Sequence, residues 1–219
     1  MPGQPSDRIR MPVLHKALTV GGHATRHFFL QKNSYWTAQK FVNYRVKKNE
    51  DIGLDFEIDK LTNSVENVQS GDSFPTEISL LSKAECKNLT KKNGWKFNWL
   101  NEHQIPEREV YKLTITNNAH IIQGVISLEV KIDHVYMHLI ESAPFNIGRN
   151  KVYLGVPGNL VSFACKLSFQ RGGEGYVSFL SKTKLIDHYE KSLGAVHSGG
   201  GLMVITTEVA LQLTNKYFN

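Results

Sequence analysis

An α+β domain, built on a mixed and mostly antiparallel sheet flanked by helices, is the fold this sequence predicts. Three observations predict it. Residues 110–141 hold three strand-like runs joined by turn residues, an apolar series at helical spacing opens after Gly158, and short β-rich runs then alternate with a second helical series as far as Ile205. Consecutive strands followed by helix, strand, helix and strand are the element order of an α+β domain with a mixed sheet.

Residues 1–27 mix Pro, Gly, Arg and His without a period and read as an irregular arm ahead of a single domain over 28–219. Phe41–Val46 has strand composition, and Leu54–Asp59 alternates apolar with acidic residues as a half-buried strand does. A polar connector follows over 62–74. Ser73-Phe74-Pro75-Thr76-Glu77 offers helix-start chemistry, and Ile78, Leu81, Glu85-Cys86 and Leu89 continue it at helical spacing until Gly94. Trp95, Phe97 and Trp99 alternate, which marks one buried face before Pro106. Val110–Ile115, Ile121–Ile132 and Val135–Glu141 then form a meander, with Asn117-Asn118 and Asp133-His134 as its turns. Leu160, Phe163, Ala164 and Leu167 fall at i, i+3, i+4 and i+7, which is helical, and Gly172-Gly173-Glu174-Gly175 stops that helix. Tyr176–Leu180 is a strand, Lys184–Leu193 an amphipathic helix, and Leu202–Ile205 a strand with a tail beyond it.

Composition bounds the function classes. A chain of 219 residues, 41% apolar and 21% charged, suits a globular domain able to bury a sizeable core. No apolar run reaches the length of a membrane span, and the polar start lacks the apolar core of a secretory signal. The two cysteines, Cys86 and Cys165, lie far apart and read as reduced thiols of a cytoplasmic protein, with Cys165 in the core. The net charge of +6 suits an anionic partner, a CoA nucleotide or RNA, but is common in proteins that bind neither. The nine histidines do not cluster, and no HExxH or CxxC spacing is present, so no metal site is expected.

Two segments carry chemistry. Gly155-Val156-Pro157-Gly158-Asn159-Leu160 is a glycine-bearing turn opening a helix, the arrangement that presents bare backbone N–H groups to phosphate. Leu185-Ile186-Asp187-His188-Tyr189 continues to Leu193 and stops at Gly194; Leu185, Ile186, Tyr189 and Leu193 share one face, so Tyr189 points inward. In this order, with the strand Val135–Glu141 before them, the segments resemble the acyl-CoA-binding half of the GCN5-related N-acetyltransferases, over about Trp95 to Ile205. That resemblance implies acetyl-CoA as acyl donor, lying in a cleft splayed between the fourth and fifth strands. It implies pantetheine held by the backbone at Leu139, Ile140 and Glu141, and pyrophosphate at Gly155, Val156, Gly158, Asn159 and Leu160. It implies Glu141 as the base that deprotonates the acceptor amine, with His138 and Glu129 as alternates, and Tyr189 as the acid that protonates the departing thiolate. Asn146, in the run after Glu141, would hold its loop.

The chain departs from the family pattern in three places. Gly148–Leu154 intervenes before the glycine turn, Lys182 stands where an asparagine is usual, and the tyrosine helix ends in Gly194-Ala195 and not in a glycine followed by an aromatic. Two alternatives therefore stand beside an N-acyltransferase acting on a small-molecule or protein amine. One is an acetyltransferase-like binding or scaffold module without activity. The other is a toxin-like enzyme acylating aminoacyl-tRNA, the case in which a nucleic acid becomes a partner. An exposed strand at a sheet edge would allow a homodimer.

Overall fold

Alternation in the central meander sorts its side chains between two cores. Strands β1 (Ser64–Asn67), β2 (Ser73–Leu80), β3 (Glu109–Ile115), β4 (Asn118–Val130), β5 (Val135–Ser142), β6 (Tyr153–Leu154), β7 (Val177–Leu180), β8 (Val196–His197) and β9 (Leu202–Ile205) form one sheet in the order β6-β1-β2-β3-β4-β5-β7-β9-β8. Every pairing is antiparallel except β5 with β7. The computed structural model describes residues 53–61 and 64–218, within the compact unit Val46–Asn219. The arm boundary at residue 27 and the expected Phe41–Val46 strand lie outside the described residues.

Tyr111, Leu113 and Ile115 of β3 and Ile126 and Leu128 of β4 face the main core. There they meet Leu160, Val161, Ala164 and Cys165 of helix α3 (Val156–Gln170), Tyr189 and Leu193 of α4 (Ile186–Leu193), and Ala210, Leu213 and Tyr217 of α5 (Thr207–Phe218). Val110 and Val125 point to the opposite face. They pack there with Leu81, Cys86, Leu89, Trp95, Trp99 and Ala143 around the short helices α1 (Lys83–Cys86) and α2 (Trp99–His103). Period-two side chains on the strands thus give each face of the sheet its own helical cover.

Four expectations need correction. The helix expected over residues 78–89 is strand β2 followed by the single-turn helix α1. Side chains of β2 alternate between half-buried and exposed, with Phe74, Thr76 and Ile78 turned in, and the helix-start chemistry belongs to Ser82 and Glu85, which form a capping box. The connector over 62–74 contains strand β1, whose Val65 is fully buried. The tail after β9 is helix α5, its apolar face carried by Ala210, Leu213 and Tyr217. Leu54–Asp59 buries its alternate residues as expected, but among the described residues it makes one isolated bridge, Leu54 to Ser181, and joins no strand ladder.

Two irregularities in β5 position the site. Ser127 opposes Leu139 while Leu128 opposes Met137, so His138 is an extra residue, a β-bulge. Because of it Val135, Met137 and Ile140 all reach the main core, which strict alternation forbids. Strands β5 and β7 pair only at Val135–Val177 and Tyr136–Ser178. Beyond those pairs β5 stays with β4 as far as Ser142, β7 stays with β9 as far as Leu180, and the two part. Among the described residues no helix is long and apolar enough to cross a membrane.

Candidate functional site

The bulge at His138 lies two residues past the last β5–β7 pair, Tyr136–Ser178. Beside them lies a cavity of about 340 Å³ lined by Phe97, Glu102, Arg108, His138, Leu139 and Leu180 among others. His138 Nε2 lies 2.8 Å from a carboxylate oxygen of Glu129. A carboxylate can only accept, so Nε2 carries the proton and Nδ1 keeps a lone pair. Burial pulls the His138 imidazole below its ordinary range, with the Arg108 charge adding to that, and the hydrogen bond to Glu129 opposes it in part. The ring is therefore neutral at pH 7. Glu102 is buried, and Oε1 accepts from Arg108 Nη1 at 2.6 Å and from Ser127 Oγ at 2.7 Å.

Helix α3 starts at the far end of the same split. Gly155 caps it with φ 88°, a left-handed conformation that a side chain would strain, and its N–H points out of the first turn. The strand split, the following helix and the flanking meander have the arrangement implied by the resemblance. The chain has the mixed, mostly antiparallel α+β fold that the resemblance implies. No family model and no curated protein matches it. Among solved structures the chain is similar to a spermidine N-acetyltransferase from Vibrio cholerae in complex with CoA and spermine, with TM-score 0.43, 16% identity, and 62% of this chain and 98% of that one covered. It is also similar to the ribosomal-protein-S18-alanine N-acetyltransferase from Escherichia coli, with TM-score 0.38, 12% identity, and 59% and 90% covered. At such identities and TM-scores the likeness assigns no role, and the site is judged on its own geometry.

The acetyltransferase-type split is not empty. Residues 53–61 run through it from the cavity to the N-terminus of α3. Leu54 N–H donates to Leu180 O at 2.7 Å and Lys182 N–H to Leu54 O at 3.3 Å, so the segment takes up pairing that β5 has abandoned. Phe56 N–H donates to Tyr189 Oη at 3.1 Å, and that hydroxyl donates to Phe56 O at 2.9 Å. Ile58 N–H donates to His188 Nε2 at 2.9 Å. Asp59 ends the run: its carboxylate accepts from Gly155 N–H at 3.0 Å and from Lys151 Nζ at 2.8 Å. Leu54, Phe56 and Ile58 are buried, Phe56 against the rings of Tyr189 and Phe179 at 4.8 and 6.0 Å, and burial of each side chain contributes about 1.5–3 kcal/mol. Gly53 fits where nothing larger can, since a Cβ there would come within 2.4 Å of Lys182 N.

These contacts decide where each expected site residue stands. Leu139 lines the cavity, and Ile140 is core. Glu141 is buried; its carboxylate accepts from Lys96 N–H at 2.7 Å, Phe97 N–H at 3.4 Å and Trp99 Nε1–H at 2.9 Å, on the face of the sheet that carries the tryptophans. It holds the 95–99 segment and is not among the residues that line the cavity. Gly155 offers its N–H as expected, to Asp59. Val156 and Leu160 are core residues, and the backbone of Gly158 is covered by Tyr217 Oη and Lys60 O, which a Cβ would meet at 2.2 and 2.9 Å. Asn159 is inside the helix turn: Nδ2 donates to Ser64 O at 3.2 Å and Gly155 O at 2.8 Å, and Oδ1 accepts from Thr76 Oγ1 at 3.1 Å. Tyr189 is buried, and burial pushes its hydroxyl well above the usual phenol range, so it is protonated. Asn146 holds its loop, donating to Gln123 O at 3.2 Å and accepting from Tyr153 N–H at 3.1 Å.

The structure thus brings Leu139, His138 and Glu129 together at one end of the split and Gly155 at the other, with Tyr189 between them beneath Phe56. Glu141 joins neither end. Sequence reasoning passed over Glu102 and Arg108, which carry no motif, and read Leu54–Asp59 as a strand although its alternation was plain. Asp59→Asn should lower the thermal midpoint by about 2–4 °C, since a carboxylate at a helix N-terminus contributes about 1 kcal/mol. An unchanged midpoint in a thermal melt would mean that this anion contributes nothing there.

Proposed function

We propose that the protein is an acyl-CoA-dependent N-acyltransferase, most simply N-acetyl, whose reaction centre is the cavity at the β5 bulge. One observation carries the reading: the strand split, the bulge and the His138–Glu129 pair coincide at one cavity. Amine acylation needs those parts, a polar floor where the strands part and a neutral base beside it. Acyl-CoA, when bound, supplies the acyl group as an activated thioester. Gly155 N–H and Lys151 would hold its phosphates, and the fit is tested by Asp59, whose carboxylate already stands as an anion on both donors.

His138 Nδ1 takes the proton of the attacking amine as the new C–N bond forms, and Glu129 keeps the ring in the tautomer that allows it. Glu141 is not part of this scheme, because its oxygens are engaged by three donors of the 95–99 segment. Tyr189 can return a proton to the departing thiolate only when its hydroxyl is released from Phe56. The acceptor is an amine, and Glu102 and Arg108 line the space it would enter.

One observation favours a second reading, an acetyltransferase fold that has replaced its cofactor by its own chain: the groove is filled. Calorimetry with acetyl-CoA and thiol release with a panel of amines, on the wild-type chain and on Gly53→Ala, separate the two. Heat of binding and an acylated amine identified by mass spectrometry are expected. Neither binding nor thiol release in either chain would overturn the enzyme reading and leave the second.

A further inference from the structure

We infer that residues 53–61 are an internal competitor for acyl-CoA, an autoinhibitory strap that must leave the groove before the donor can enter. The inference rests on the reading that this groove takes acyl-CoA.

The strap copies the ligand end by end. It is an extended chain of amides where the donor has its amide-bearing arm, apolar at alternate positions, and it places a carboxylate on the N–H and the lysine that await a phosphate. It enters at the cavity, where Gly53 and Leu54 form part of the wall, so a donor lying in the groove would displace them. Both cannot be present: Phe56 occupies the space over Tyr189, and its backbone satisfies that hydroxyl in both directions.

The strap is also built to leave. Among the described residues it joins the sheet by one isolated bridge. The N–H groups of Phe56 and Ile58 are met by side chains, Tyr189 and His188, so beyond Leu54 its departure breaks no backbone pairing with the described strands. Asp55 lies on the outer side, with Lys182 at 3.0 Å and Lys184 at 3.4 Å, and the first of these pulls its carboxyl below the usual range. Those ion pairs sit at the surface and are weak. A donor that binds only the open state has its apparent affinity reduced by the fraction of open chains.

Hydrogen exchange on the full chain, with and without CoA, tests this together with calorimetry on wild type, Gly53→Ala and Phe56→Ala. Either substitution should loosen the strap, the first by collision with the Lys182 backbone and the second by removing its largest buried ring. The variants should bind CoA about tenfold tighter or more, and CoA should speed exchange of the Leu54, Phe56 and Ile58 amides in the wild type. Binding by the variants alone is the same result in stronger form. CoA bound while those amides stay protected, or equal affinities in a variant whose strap exchanges fast, would overturn the strap and leave the acyl-CoA reading standing. No binding by any chain, with the strap exchanging fast in the variants, would overturn the reading and the strap together.

Discussion

Replacing His138 by glutamine should lower kcat for amine acylation by about 10²–10³-fold, the contribution typical of a positioned general base. Only the neutral ring can take a proton. Burial already holds His138 below the ordinary imidazole range, so the neutral form dominates at pH 7. The rate should therefore rise with pH through a midpoint below the ordinary imidazole range, then level off as far as this group is concerned. His138→Gln should remove that acidic limb while the thermal midpoint moves little, because the side chain lies at a bulge lining a cavity and Glu129 keeps Lys131 as its partner. The comparison is best made in the Gly53→Ala background, where closure of the strap cannot mask chemistry. An unchanged kcat with the limb intact would take His138 out of the reaction.

Glu141→Ala should have its large effect on stability and not on chemistry. The substitution leaves the buried Trp99 Nε1–H and the part-buried amides of Lys96 and Phe97 without their acceptor. An unsatisfied buried donor costs about 1–3 kcal/mol, so a loss of about 3 kcal/mol or more is expected, a fall of about 10 °C in thermal midpoint for a chain of this size. Glu141→Gln should recover part of it, since one oxygen remains and the new amide can only face donors. A base would behave in the opposite way: normal melting for Glu141→Gln and lost turnover. Thermal melts beside initial rates decide between them.

The reason for the changed role of Glu141 is local. Counted by alternation from Val135 and Met137, Glu141 should face the main core and the split. One extra residue, His138, reverses the parity beyond it, returns Ile140 to the core and turns Glu141 towards Trp99. A bulge of this kind has no signature in composition, because it is set by which residue of β4 each residue of β5 opposes. The helix expected over 78–89 failed for a related reason: Ile78, Leu81 and Leu89 have helical spacing, but β2 pairs with β3 from Thr76 to Leu80, and pairing overrode the pattern.

The sequence by itself determined the α+β class, the three-strand meander, helices α3 and α4 and the inward face of Tyr189, because each rests on periodicity within one segment. It also carried the alternation that buries Leu54, Phe56 and Ile58. Only the tertiary structure decided what those residues bury themselves against. That a strand-like run lies in the groove, that its last carboxylate meets Gly155, and that His138 and not Glu141 stands at the split all depend on contacts between residues up to 135 apart in the chain. Local spacing cannot encode such contacts, since they follow from how the sheet parts and which segment fills the gap.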